Sequence, residues 1–192
     1  MDQNTQPEVA TVRYLTDAKA SRFTVRAFST GLLAAFAYNP TISIPNFEGE
    51  ILVNLDAPEQ SSLRIVFQAD SLLVTDDVSE KDREEINRRM HTEVLESDGY
   101  PEIVYECSKL SASKTGDSQY WVALSGALTL CGVTRVQPIS ARVSMSPDVL
   151  RTAGEFSVRQ SDYEIVPVTA VGGAVKLKDE LKLSFDIVAR RQ

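Results

Sequence analysis

Asp179-Glu-Leu-Lys-Leu-Ser-Phe-Asp-Ile-Val-Ala189 decides how this chain is read. Leu181, Leu183, Phe185, Ile187 and Ala189 fall on one side of an extended backbone; Glu180, Lys182, Ser184 and Asp186 fall on the other. A strand turns successive side chains to opposite faces, so this stretch shows one apolar face and one wetted face. The same period recurs upstream. It carries Phe23, Val25 and Ala27 in Ser21–Phe28, Ile51, Val53 and Leu55 in Gly49–Leu55, and Leu63, Ile65 and Phe67 in Ser62–Gln68. Further on it carries Ile103, Tyr105 and Cys107 in Glu102–Leu110, Leu124 and Leu128 in Tyr120–Leu130, and Ile139, Ala141 and Val143 in Val133–Met145. Glu155–Val158 and Tyr163–Val168 read as one broken strand, and Gly31–Ala37 fits helix or strand until Asn39-Pro40 stops it.

Between the strands the rhythm changes once. Ser79–Ser97 opens with a capping serine, follows it with acids, and spaces Ile86, Met90, Val94 and Leu95 along one helical stripe. Gly99 and Pro101 end it. The expectation is an all-β fold: an antiparallel β-barrel of about eight strands with one inserted α-helix, since closure hides the edges of so many antiparallel strands. Residues 1–10 read as a disordered tail and residues 11–192 as a single domain, within the size range of one barrel.

Charge and cysteine usage narrow the partners. With net charge −7 and a pI near 4.8, the chain is a poor match for nucleic acid or anionic lipid surfaces. Its N-terminus lacks a basic, apolar leader and no stretch is long enough for a membrane span, so no stable membrane insertion is expected and the location reads as cytoplasmic. A turn near Gly116 sets Cys107 opposite about residue 124, which leaves Cys131 on the order of 20 Å out of register. Both then read as free thiols in a reducing compartment.

Catalytic chemistry finds little to stand on. The chain has no phosphate loop, dinucleotide fingerprint or nucleophile elbow. One histidine and two separated cysteines make no zinc or two-histidine iron set, so neither metal nor cofactor is expected. His91 lies on the helix without a nucleophile or orienting acid nearby. Cys131, beside Gly132 and near Arg135, fits either a reactive thiol or a small residue in a tight turn. The acids from Asp76 to Glu85 do not have calcium-loop spacing and suit a helix N-terminus. Alternation leaves two interiors open: one filled by side chains, and one holding a small ligand beside small inward residues such as Ala27, Cys107, Gly126 and Ala141.

Several segments together resemble the YceI-like family. Leu128-Thr-Leu-Cys-Gly-Val-Thr-Arg135 is similar to its Leu-Thr-Ile-His-Gly-Val-Thr-Lys/Arg signature. Tyr14-Leu-Thr-Asp-Ala-Lys-Ala-Ser21, Gly99-Tyr-Pro-Glu-Ile103, Phe156-Ser-Val-Arg-Gln-Ser-Asp-Tyr163, Gly172-Gly173 and Lys178-Asp-Glu180 follow in the family's order. The resemblance spans residues 11–190 and implies a lipocalin-like barrel that holds a long apolar chain, such as a polyisoprenoid or fatty amide. Many family members are periplasmic; that location does not carry over. The family often has histidine where this chain has Ala20, Ala27 and Cys131, differs around Glu85–Met90, and commonly has glycine where Glu164 stands, so headgroup or metal roles of those histidines do not carry over either.

The resulting expectation is a non-enzymatic binder of a polyisoprenoid, fatty acid or fatty amide, acting as carrier or store. Its lumen is lined by Phe23, Val25, Ile51, Val53, Leu63, Ile65, Phe67, Leu124, Leu128, Ile139, Val143, Leu183 and Phe185. The strand-break and turn-adjacent cations Arg135 and Arg159 are the candidates for a headgroup at the mouth. The alternatives are a filled barrel that works through its surface, including self-association as a homodimer, and an enzyme using Cys131 as nucleophile.

Overall fold

The computed structural model describes residues 11–33 and 38–192. The expected tail at 1–10 and residues 34–37 of the ambiguous Gly31–Ala37 segment lie outside the described residues. Eight strands close the barrel: β1 (Thr11–Thr16), β5 (Phe47–Asn54), β6 (Ser62–Gln68), β8 (Glu102–Cys107), β10 (Gln119–Leu130), β11 (Val133–Met145), β12 (Val149–Arg159) and β15 (Glu180–Arg191). All are antiparallel, and β15 returns to pair β1, with Leu15 opposite Arg190. Closure leaves no free edge around this ring.

Shorter strands complete four of the staves. β2 (Arg22–Arg26) continues β1 along the same edge of β15, β4 (Thr41–Ser43) pairs β2, and β7 (Leu73–Val74) pairs β4. β9 (Leu110–Gly116) continues β8 along β10. The expected single strand Glu102–Leu110 is therefore two, and the ladder skips between Ala127–Glu106 and Leu124–Leu110. This skip sets Cys107 nearer residue 126 than the continuous-strand reading gave. At the β1/β2 break a hydroxyl replaces backbone: Ser21 Oγ accepts the Val188 N–H at 2.9 Å and donates to the Asp17 carbonyl at 2.6 Å. A broken stave keeps its hydrogen bonds while it bends.

Helix α1 (Glu80–Arg89) starts where its cap predicts, with Ser79 Oγ accepting the Asp82 N–H at 3.1 Å. It runs on into a π-turn over Met90–Val94, closed by Leu95 N–H to the Met90 carbonyl at 2.8 Å. Asn87 Oδ1 accepts the Val74 N–H at 2.9 Å and so satisfies a backbone donor of β7. A small second sheet, β13 (Thr169–Ala170), β14 (Val175–Leu177) and β3 (Ser29–Thr30), forms a flap at the helix end of the barrel.

Two expected strands differ. β12 runs from Val149, well before Glu155. Tyr163–Val168 is not a strand: the chain turns through a 3₁₀ helix at Gln160–Tyr163, and Glu164 takes a left-handed φ of 62°. That conformation explains why glycine suits this position. The β10–β11 connection is a two-residue turn with Cys131 at φ 49° and Gly132 at φ 75°, the geometry that matches strand twist.

Candidate ligand-binding cavity

The barrel is hollow. A cavity of about 730 Å³ extends from the Asn54–Ser61 loop at one end to α1 and the flap at the other, within the range of about 300–1,000 Å³ typical of small-molecule sites. All thirteen residues expected to face the lumen line this cavity. The register explains why: Leu183 pairs Val25 and Phe156, and Phe185 pairs Phe23, so alternation on β15 is matched across both neighbours. Phe23 lies edge-on to Phe67 at 4.8 Å between centroids and stacked on Phe185 at 6.0 Å. Leu63, Leu124, Val143, Leu183 and Phe185 point inward yet are only half-buried, because part of their surface faces the cavity.

The helix end contributes Ile86, Met90, Val94 and Leu95, the four residues of the predicted apolar stripe. The flap adds Ser29, Leu33, Val171, Val175 and Leu177. Helix and flap meet where the Arg89 guanidinium reaches the Thr169 carbonyl at 3.4 Å; Arg89 is also paired with Glu93 at 3.0 Å. Among the described residues Asp82 and Arg89 are the only charged groups on the cavity wall. One acid and one base give this wall no net charge.

Neither candidate headgroup arginine lines the cavity. Arg159 follows inward-facing Val158, so it points out, where it pairs with Asp179 at 3.0 Å. Ser161 donates to the same carboxylate from both its hydroxyl and its backbone N–H. These bonds, and then Arg159, hold Asp179 below the usual carboxylate range. Arg135 is exposed and donates to the Thr134 carbonyl at 3.0 Å. The β11–β12 ladder ends at Ala141–Gly154, and the buried Tyr163 and Ile165 belong to the same core cluster as Ile139 and Val158, while Arg135 stays exposed. The polar side chain of this strand-break segment that does reach the wall is Gln160, 2% exposed, next inward after Phe156 and Val158. Sequence reasoning passed over it in favour of charge, although the strand alternation points to it.

The candidate reactive groups have structural roles. His91 Nε2 bonds the Leu72 carbonyl at 2.8 Å and ties the π-turn to the segment before β7. Burial, and secondarily Glu96, push the Cys131 thiol up to about 11, so Arg135 does not activate it. Tyr105, on the wall, is pushed well above its ordinary value, chiefly by burial.

Among solved structures the fold is similar to BcnA of Burkholderia cenocepacia (TM-score 0.67, 15% identity, covering 90% of this chain and 98% of that one). It is equally similar to a polyisoprenoid binding domain from Saccharophagus degradans implicated in plant cell wall breakdown (TM-score 0.66, 15% identity, 93% and 98% covered). A YCEI protein of Campylobacter jejuni also matches (TM-score 0.58, 13% identity, 81% and 87% covered). No curated protein matches closely in sequence. Residues 14–189 match the YceI-like domain, and the chain belongs to that family.

Proposed function

We propose that the protein binds one long apolar chain, a linear isoprenoid or acyl lipid, inside the barrel and serves as its carrier or store, without catalysing a reaction. The observation that carries this reading is the continuous apolar cavity of about 730 Å³, with a single acid and a single base on its wall among the described residues. Each methylene taken from water contributes about 0.8 kcal/mol. Burial of on the order of ten to twenty methylenes therefore offsets an association cost of about 4–15 kcal/mol. The Saccharophagus domain, a polyisoprenoid binder by its name, supports the same ligand class. The structural roles of His91 and the raised Cys131 thiol support a binder over an enzyme. Cytoplasmic residence belongs to this proposal, supported by free Cys107 and Cys131. Organic extraction of the purified protein followed by mass spectrometry tests the reading. A stoichiometric long-chain lipid is expected, and protein that is lipid-free and takes up no added polyprenol or fatty amide contradicts it.

A further inference from the structure

Among the described residues three polar side chains on the cavity wall are buried: Asn54, Ser61 and Gln160. Asn54 is satisfied, its Oδ1 accepting the N–H groups of Asp56 and Ala57 at 3.0 and 2.9 Å and its Nδ2 donating to Gln60 at 3.3 Å. Ser61 Oγ accepts the Asn54 N–H at 3.0 Å. Gln160 is satisfied on one side only. Its Nε2 donates to the Lys178 carbonyl at 2.9 Å, while its Oε1 takes no hydrogen bond from the described residues and is not sealed within protein. The amide orientation follows from chemistry: a carbonyl can only accept, so nitrogen must face Lys178 and oxygen is the amide atom left without a partner among the described residues. The backbone around it is also fixed, with Gln160 N–H donating to the Asp179 carbonyl at 2.9 Å and the Gln160 carbonyl accepting from Ile165 at 3.1 Å.

We infer that Gln160 Oε1 is the headgroup anchor, and that the lumen ligand carries a neutral hydrogen-bond donor: a long-chain alcohol or primary amide in preference to a phosphate or carboxylate. This deepens the lipid-binding reading and rests on it. An apolar chain threaded through the barrel leaves a buried acceptor unpaired unless its own head donates, and an O–H or N–H group does so. An anion would meet the negative end of the amide dipole in an apolar enclosure, which disfavours it. Arg89, the one cation on the wall among the described residues, does not reverse this. Arg89 is already engaged by Glu93 and the Thr169 carbonyl, and Asp82 shares its end of the cavity.

The test is native mass spectrometry on the full chain stripped of lipid, offered equimolar pairs of probes at neutral pH. Stearyl alcohol competes with octadecane, and geranylgeraniol competes with geranylgeranyl phosphate. In the wild type each alcohol should outcompete its partner by about tenfold, the worth of one well-made hydrogen bond. In Gln160→Met, with folding checked by thermal melt, the advantage of stearyl alcohol over octadecane should collapse towards one. A wild type that takes alcohol and alkane equally, or prefers the phosphate, overturns the anchor, as does an alcohol advantage that persists in Gln160→Met. Failure of the wild type to take any of the four probes overturns the lipid-binding reading itself, an outcome distinct from loss of head discrimination.

Discussion

The hydroxyl of Tyr105 accepts the backbone N–H of Gly126 at 3.2 Å, where strand pairing along β10 lapses between β8 and β9. The same hydroxyl donates to the Gln137 carbonyl at 3.1 Å, so one side chain stands in for missing backbone in the barrel wall. The fit requires glycine, because a Cβ at 126 would sit 2.4 Å from Tyr105 Cζ. Gly126→Ala should lower stability by about 1–3 kcal/mol through overpacking. Tyr105→Phe should lower it by about 1–3 kcal/mol by leaving the Gly126 N–H unpaired. Urea unfolding midpoints measure both, and a Gly126→Ala protein as stable as the wild type would show that the ring moves aside freely.

The register of β15 makes a paired prediction. Leu183 faces the lumen, while Lys182 is exposed with its ammonium 5.8 Å from the Phe28 ring. Leu183→Asp leaves a carboxylate in an apolar enclosure and should cost more than about 3 kcal/mol or prevent folding. Lys182→Asp should stay within about 0.5 kcal/mol of the wild type. Melting curves of the two variants decide, and equal tolerance would contradict the register.

Strand parity was legible wherever the alternation ran unbroken. Leu124 and Leu128 on β10, Ile139 and Val143 on β11, and Leu183 and Phe185 on β15 could be assigned to one face because register couples them across the sheet. The helix cap at Ser79 was legible because its hydrogen bond is local. The stave breaks were not. Whether Cys107 runs on into Leu110 depends on Tyr105 reaching Gly126 and Gln137 across the sheet, a contact no local pattern encodes. The flap was missed for the same reason: its two- and three-residue strands are held by partners far off in sequence. At the headgroup end, charge drew the choice to Arg135 and Arg159, while parity from Phe156 through Val158 leads to Gln160.

Acid should loosen the barrel. Asp17, Asp179 and Asp186 are each held below their usual 3.8, chiefly by hydrogen bonds from Arg190, Ser161 and Arg151 respectively. A carboxylate with a depressed folded-state pKa binds fewer protons when folded. Its stabilisation is therefore full above the ordinary value and lost as pH falls below it. These sites are partly exposed at the surface, so the effect should be small and weaken with salt. Melting temperature followed from pH 6 to pH 2.5 should drop mainly below about 4, and Asp179→Asn should flatten the drop. A slope unchanged in Asp179→Asn would show that this carboxylate does not contribute.

Cys131 should behave as an inert thiol. Its pKa, raised to about 11 chiefly by burial, keeps it protonated at neutral pH, and the thiolate is the reactive form. Iodoacetamide should modify it more slowly than the same cysteine in urea-unfolded protein at pH 8, as read by peptide mass spectrometry. Cys131→Ser should leave lipid uptake intact. Native-state modification as fast as in the unfolded chain would contradict the buried environment.

The central claim is that the lumen, rather than the outer surface, holds the ligand. Val143 lines the cavity, pairing across the sheet with Tyr120 of β10 and Thr152 of β12, so Val143→Trp places an indole in the apolar channel. The decisive measurement is stoichiometric uptake of a polyprenol by lipid-stripped wild type and Val143→Trp, followed by native mass spectrometry, with far-UV circular dichroism confirming that both are folded. One ligand per wild-type chain and sharply reduced uptake by the folded variant is the expected result. Equal uptake by the two folded proteins would contradict binding in the lumen.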